Sequence, residues 1–328
     1  MKPFFSIVFG GLAVLMVIMG VFSFGVSIWH NIIPSGVATA SVYSAVSSLM
    51  PSSASSVPET RYTGVERYTG AEEEDMINSA AEALPSNQVN RVTAKAYLVK
   101  DITNSQVIVE NNSNQLLPIA SLTKLVTAVV ARKLILPTAR IPITKQVMMT
   151  YGNTASFRAG ETFTASDLMY PMLMVSSNDA AEAYAQYYGR AKFIQAMNDF
   201  TQSIGAYRTY FADPSGLDPQ NVSTANDLAL ILDWIRKNDP SIITITQQKA
   251  KTIRSHTWVN PTHFLSWSYY VGGKNGYLPE ADRTNASLFK LGPQGDIYAV
   301  VVLGSSSRDT DTLQLLKKVT DVISMRNL

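Results

Sequence analysis

The chain has 328 residues, 46% hydrophobic and 16% charged, with a formal net charge of +2. That balance, without a long basic run, gives no footing for nucleic-acid binding. With no cysteine and three histidines (His30, His256 and His263), disulfides and thiolate chemistry are excluded, and a structural zinc site or a histidine-based triad has little to draw on.

The first element is a membrane segment. Phe4 to Trp29 carries no charge and exceeds the roughly 20 apolar residues that span a bilayer. Lys2 precedes it, and no Lys or Arg follows until Arg61. The positive-inside rule therefore keeps the short N-terminus in the cytoplasm and exports the rest. Residues 4–29 are expected to be a signal-anchor, giving a single-pass cell-membrane protein whose body lies on the periplasm or wall side. Ala38-Thr39-Ala40 resembles a cleavage site, but the apolar run is too long for a signal peptide and ends too far upstream. Residues 30–87 read as a tether, rich in Ser, Ala and Pro. It contains the near repeat RYTGVERYTG and an acidic stretch, Ala71 to Leu84, able to form one helix.

A globular domain is expected over 88–328. Ala94 to Asp101 and Gln106 to Asn111 have strand character around a Thr103-Asn104-Ser105 turn. A helix over Pro118 to Val130 follows, an almost unbroken apolar run broken by the polar pair Ser121 and Lys124. Ser166 is expected to cap a helix ending before Ser176. Further helices are expected over Ala180 to Tyr188, Ala191 to Ile204 and Ser223 to Lys237. Lys251 to Val259, Ala286 to Leu291 and Asp296 to Leu303 read as strands, and Thr312 to Met325 as a closing helix. Strands at both ends with helices between predict one sheet built from both termini around a helical insertion.

Three polar clusters interrupt this pattern. On a helix, Ser121 and Lys124 share one face with Cβ atoms roughly 5–6 Å apart. A buried lysine is costly unless partnered or deprotonated. A hydroxyl beside such an amine is a serine nucleophile without histidine. With 33 serines and 14 lysines in the chain, the spacing alone carries little weight, and a core helix with one polar turn explains it equally well. Ser176-Ser177-Asn178-Asp179 is either a helix cap with its loop or a second active-site motif. Lys274-Asn275-Gly276 is either a strand edge or a tight Asn-Gly hairpin turn.

The order Ser121-x-x-Lys124, Ser176-x-Asn178, Lys274-Asn275-Gly276 is that of the serine DD-peptidase and β-lactamase superfamily. The flanking segments LMVSSNDAAEAYA, DPSGLDPQNVSTANDLA and GGKNGY resemble the D-alanyl-D-alanine carboxypeptidase family of low-molecular-weight penicillin-binding proteins. The resemblance covers about Lys95 to the C-terminus. It implies an α/β, β-lactamase/DD-peptidase-like sandwich: a five-stranded antiparallel sheet with flanking helices, plus an all-α subdomain across the active-site cleft. It implies a serine-type D-Ala-D-Ala carboxypeptidase acting on peptidoglycan stem peptides through an acyl-enzyme, with β-lactam antibiotics as covalent inhibitors and no cofactor or metal.

The implied roles follow residue by residue. Ser121 is the nucleophile and Lys124 its base. Ser176 passes a proton to the leaving group, and Asn178 holds Lys124 and substrate. The backbone N–H groups of Ser121 and Tyr277 form the oxyanion hole, and Lys274, Asn275 and Gly276 bind substrate. Two positions depart from the family pattern: Asn275 stands where Thr is usual, and Asp213 where Asn is usual. A class A β-lactamase would need a glutamate on a loop between the second and third motifs, and none occurs between Glu182, inside the helix expected over Ala180 to Tyr188, and Glu280. A DD-endopeptidase cutting cross-links, or a penicillin-binding wall module with little turnover, would carry the same motifs.

Overall fold

The structure, a computed structural model, describes residues 70–82 and 91–326. The expected anchor over 4–29 and most of the expected tether lie outside the described residues. Among the described residues no helix is long and apolar enough to cross a membrane.

Five strands form the main sheet: β1 (Ala96–Asp101), β2 (Gln106–Asn111), β3 (Tyr270–Leu278), β4 (Asp282–Leu291) and β5 (Asp296–Ser305). Their order is β2-β1-β5-β4-β3, antiparallel throughout. The β1–β2 turn is set by Asp101, whose Oδ1 accepts from the N–H groups of Thr103 at 3.0 Å and Asn104 at 2.9 Å. Such side-chain-to-backbone bonds make Asp and Asn natural turn formers. β5 joins the two chain ends: Val301 pairs with Leu98 on one side and Ala286 on the other. Its sequence DIYAVVVLGS is apolar on both faces because both faces are covered.

Alternation along the strands splits the interior into two cores. Leu98, Ala286, Leu288, Ala299, Val301 and Leu303 belong to the larger one. It contains buried residues of α2 (Thr123–Leu134), α3 (Ala165–Met174), α4 (Asn178–Tyr188), α5 (Arg190–Ser203), α6 (Ala225–Asn238) and α7 (Pro240–Thr246). Val99, Phe289, Tyr298, Val300 and Val302 pack with Leu315, Leu316 and Val319 of α8 (Arg308–Arg326). Ile77 and Ala81 of α1 (Gly70–Glu82), the acidic helix expected within the tether, belong to this second core. Thr320 of α8 adds a hydrogen bond from its Oγ1 to Asn78 Oδ1 at 3.2 Å.

Four local expectations are corrected. The cap of α3 is Thr164, not Ser166: Thr164 accepts from the Asp167 N–H, and the Asp167 side chain accepts from the Thr164 N–H, a reciprocal box that needs three-residue spacing. Lys251 to Val259 is two short strands, Ala250–Ile253 and His256–Val259, turned by Arg254 at φ +53°. The helix expected over Pro118 to Val130 begins only at Thr123, because Leu117–Pro118 pairs instead with Val222–Ser223. Helix α7, opened by Pro240 in its first turn, escaped the sequence reading because it is only 7 residues long. Of the two readings of Lys274-Asn275-Gly276, the structure has the strand edge: all three lie inside β3, at the sheet edge, with Asn275 opposite Asn285. The turn comes later, where the Ala281 N–H donates to the Leu278 carbonyl at 3.1 Å.

Leu316 is fully buried between α8 and the sheet. Leu316→Ala should cost about 2–5 kcal/mol through lost burial and the cavity left behind. Chemical denaturation measures it, and an unchanged midpoint would contradict this packing.

Candidate active site

Ser121 lies in a 3-10 turn, Ala120–Leu122, that runs directly into α2. Ala120 has φ +49°, a conformation costly for a residue with a Cβ. The turn is held from several sides. The Ile119 N–H donates to the Asn221 carbonyl at 3.0 Å, and Thr284 Oγ1 on β4 donates to the Ile119 carbonyl at 3.2 Å. Thr123 Oγ1 donates to the Ala120 carbonyl at 2.8 Å and accepts from Asn221 Nδ2 at 3.0 Å.

Two glycines pinch this turn between neighbouring backbones. A Cβ on Gly216, at φ +88°, would sit 1.9 Å from the Ala120 carbonyl oxygen. A Cβ on Gly276 of β3 would sit 2.8 Å from the Ser121 nitrogen. Gly276 is therefore required for the edge strand to approach the Ser121 amide.

Lys124 is fully buried on the first turn of α2. Its Nζ lies 2.9 Å from Ser121 Oγ, 2.7 Å from Asn178 Oδ1 and 2.5 Å from the Ser215 carbonyl oxygen. Burial holds its pKa well below the usual lysine range, and the charge of Lys274 lowers it further against the opposing pull of Asp213. A neutral amine has two N–H donors and one lone pair. Asn178 Oδ1 and the Ser215 carbonyl are pure acceptors and take both hydrogens. The lone pair is left facing the Ser121 hydroxyl, which is the geometry of a general base.

The second cluster serves as both cap and site. Ser177 caps α4, its Oγ accepting from the Ala180 N–H at 3.1 Å. Asn178, the first helical residue, turns Oδ1 to Lys124 and donates from Nδ2 to the Tyr151 carbonyl at 2.8 Å. Ser176 has φ +59°, a left-handed conformation at the junction of α3 and α4, and lines the cleft with Lys274 and Asn275. Beside them, Asp179 is buried with neither carboxyl oxygen hydrogen-bonded, and burial pushes its pKa up to about 6.

On β3, Lys274 is buried and donates from Nζ to the Asn275 carbonyl at 2.8 Å. Burial and then the nearby charge of Arg308 lower its pKa to about 7. The half-exposed Asn275 stands at the cleft beside it, and the exposed Tyr277 ring lies 5.6 Å from the Arg283 guanidinium. Ser121, Lys124, Asn178 and Gly276 are thus brought together around one turn, while Ser176, Lys274 and Asn275 line the adjoining cleft. The same Ser-x-x-Lys spacing recurs at Ser287 and Lys290. On strand β4 it places the two on opposite faces, Ser287 buried and Lys290 exposed.

Sequence reasoning missed the support behind Lys124. Asp213 accepts from the N–H groups of Ser215 at 2.5 Å, Gly216 at 2.7 Å and Asp218 at 2.5 Å, and from Ser215 Oγ at 2.8 Å. It shapes the loop that aims the Ser215 carbonyl at Lys124. Asn221 ties this loop to α2 by donating to the Asp213 carbonyl at 2.9 Å as well as to Thr123. The turn residues of DPSGLDP were the available signal. Arg308, whose charge reaches Lys274, had no sequence signal.

A family model described as D-alanyl-D-alanine carboxypeptidase matches residues 81–305. The D-alanyl-D-alanine endopeptidase of Escherichia coli is 30% identical over 222 residues, spanning 64% of this chain and 69% of that protein. The D-alanyl-D-alanine carboxypeptidase DacC of the same organism is 29% identical over 235 residues, spanning 66% of this chain and 58% of that protein. Among solved structures, a D-alanyl-D-alanine carboxypeptidase from Mycobacterium tuberculosis matches with a TM-score of 0.65 at 25% identity, covering 70% of this chain and 92% of that one.

Lys274→Gln removes the cation that disfavours charge on Lys124. The Lys124 pKa should therefore rise, extending its protonated form to higher pH. NMR titration of isotopically labelled lysine side chains measures this. An unchanged or lower Lys124 pKa would show that the two amines do not interact.

Proposed function

The chain belongs to the D-alanyl-D-alanine carboxypeptidase family, and from that membership we propose that it is a serine-type D-Ala-D-Ala carboxypeptidase that trims peptidoglycan stem peptides. The observation that carries the reading is Lys124: buried, with its Nζ held between Asn178 Oδ1 and the Ser215 carbonyl and 2.9 Å from Ser121 Oγ. Ser121 Oγ attacks the carbonyl carbon of the penultimate D-Ala while its proton passes to Lys124. The oxyanion is held by the backbone N–H groups of Ser121 and Tyr277. As the C–N bond breaks, Ser176 hands a proton to the departing D-Ala nitrogen, the proton being replaced from Lys124. Water then attacks the ester, Lys124 takes its proton, and Ser121 leaves with a proton returned.

Lys274 and Arg308 supply positive potential for the terminal carboxylate of the substrate. The Asn275 amide, a hydrogen-bond donor like the threonine usual there, contacts that carboxylate, and Gly276 lets β3 lie close to the acyl group. β-Lactams enter by the same attack and remain as esters on Ser121. Penicillin labelling followed by peptide mapping should find Ser121, and Ser121→Ala should abolish it. Purified muropeptides should lose free D-Ala. Labelling elsewhere would end the assignment, and release of cross-linked partners without free D-Ala would make the protein an endopeptidase, the activity named for its Escherichia coli relative.

The uncharged run Phe4 to Trp29 supports a single-pass anchor with the catalytic domain outside the cytoplasmic membrane. The full-length protein should stay with membranes after alkaline washing and be open to protease added to spheroplasts. Recovery of a soluble mature form beginning near Ser41 would mean the segment is a cleaved signal peptide.

A further inference from the structure

Asn178 works only with its amide the right way round. Oδ1 must face Lys124, and what fixes that orientation is the Tyr151 carbonyl, which accepts from Nδ2 at 2.8 Å. Tyr151 opens an irregular segment running to Glu161. Positive φ angles at Gly152, Ser156 and Gly160 mean that helix or sheet pairing does not hold its path. Backbone bonds tie its far end to Ile143, the Gly160 N–H donating to the Ile143 carbonyl at 2.8 Å and the Ile143 N–H to the Glu161 carbonyl at 2.7 Å, and side chains hold the stretch between. Asn153 brackets it internally, accepting from the Phe157 N–H at 3.0 Å and donating to the Phe157 carbonyl at 3.2 Å.

The far side of this segment is gripped by the hairpin Ala250–Ile253 and His256–Val259. His256 Nε2 lies 2.9 Å from Glu161 Oε1, with the ring only 8% exposed. Trp258 Nε1 donates to the Ala155 carbonyl at 3.0 Å. The His256 and Trp258 rings stack at 5.7 Å, and both pack on Phe157 and Phe163. Glu161 also accepts from the Arg158 N–H at 2.8 Å; this bond and His256 outweigh the raising effect of burial and lower its pKa. His256 is the buried partner of this pair, and a buried polar group is costly to leave without its hydrogen bond.

We propose that His256 is a positioning residue of the acylation step. With Trp258 it clamps the 151–161 segment through Glu161 and Ala155, so that the Tyr151 carbonyl holds the Asn178 amide with its oxygen toward Lys124. The proposal rests on the peptidase reading above and adds to it a residue remote from the reacting atoms. It gives one of the chain's three histidines a role in a site whose base is lysine. Loosening the clamp frees the Asn178 amide to rotate. Lys124 then loses an acceptor for its charged form, which lowers its pKa further; Lys274 and Asp213, the charged groups acting on it, are unchanged.

The test is the pH dependence of penicillin acylation in the full-length protein, with melting temperatures recorded so that only folded variants are compared. His256→Phe keeps the ring packing and removes the nitrogen. It should acylate slower by on the order of tenfold, as expected for a displaced positioning contact. Its acid limb should move to lower pH. Trp258→Phe, which removes the other arm of the clamp, should move the limb in the same direction, and it carries the test if His256→Phe fails to fold. His256→Gln, whose amide can still donate to Glu161, should stay near wild type. Wild-type rates in both clamp variants, slowed rates with an unmoved acid limb, or a Gln variant as slow as Phe would overturn the proposal. Acylation of the wild type itself checks the peptidase reading, and the variant-to-wild-type ratio checks the clamp.

Discussion

A lysine amine shut away from water dominates the chemistry of this molecule. Charged and unpartnered, such a group would cost several kcal/mol. The surroundings of Lys124 answer by holding its pKa well below the usual lysine range and by setting two acceptors against its Nζ. The acceptors come from two distant stretches, the start of α4 and the loop before Gly216. Both stretches are then held by further bonds, through Tyr151 on one side and through Asp213 and Asn221 on the other. Much of the polar structure around the cleft is the consequence of placing one buried amine beside one hydroxyl.

The second constraint is the close approach of backbones around Ser121. The turn sits between Gly216 and Gly276, neither of which could carry a Cβ where it lies. Behind Gly276, Gly272 lets β3 press on α7, where a Cβ would meet Ile243 Cγ2 at 2.6 Å, and the Gly273 N–H donates to Thr246 Oγ1 at 3.0 Å. The edge strand is thus held at fixed distance from both the Ser121 turn and the helical core. The departure at Asn275 falls on this strand, between Lys274 and Gly276, where the longer amide replaces a hydroxyl without disturbing the pairing with Asn285.

The departure at Asp213 has a different character. Its two carboxyl oxygens collect four donors in one loop. An amide has one acceptor oxygen and could not serve them all. The aspartate strengthens the loop that feeds the Ser215 carbonyl to Lys124, and its negative charge opposes the lowering of the Lys124 pKa. Rigidity and basicity of the amine are thereby set together by one side chain.

The sequence by itself determined what local pattern can determine. The strand over Asp296 to Leu303, the turn at Thr103-Asn104-Ser105, the buried α2 and the order of three polar clusters were all legible, because each depends on residues a few positions apart. The family followed from the clusters and their flanks. Tertiary structure decided the rest. Lys274-Asn275-Gly276 has the local chemistry of a hairpin turn and became a strand because β4 offered a partner along its whole length. Ser121 left its expected helix because Leu117 and Pro118 found pairing partners over a hundred residues away. The contacts of Ser215 with Lys124, of Tyr151 with Asn178 and of His256 with Glu161 were invisible for the same reason. Each acts through a carbonyl or a buried contact across the fold, and such contacts leave no periodic trace in the chain.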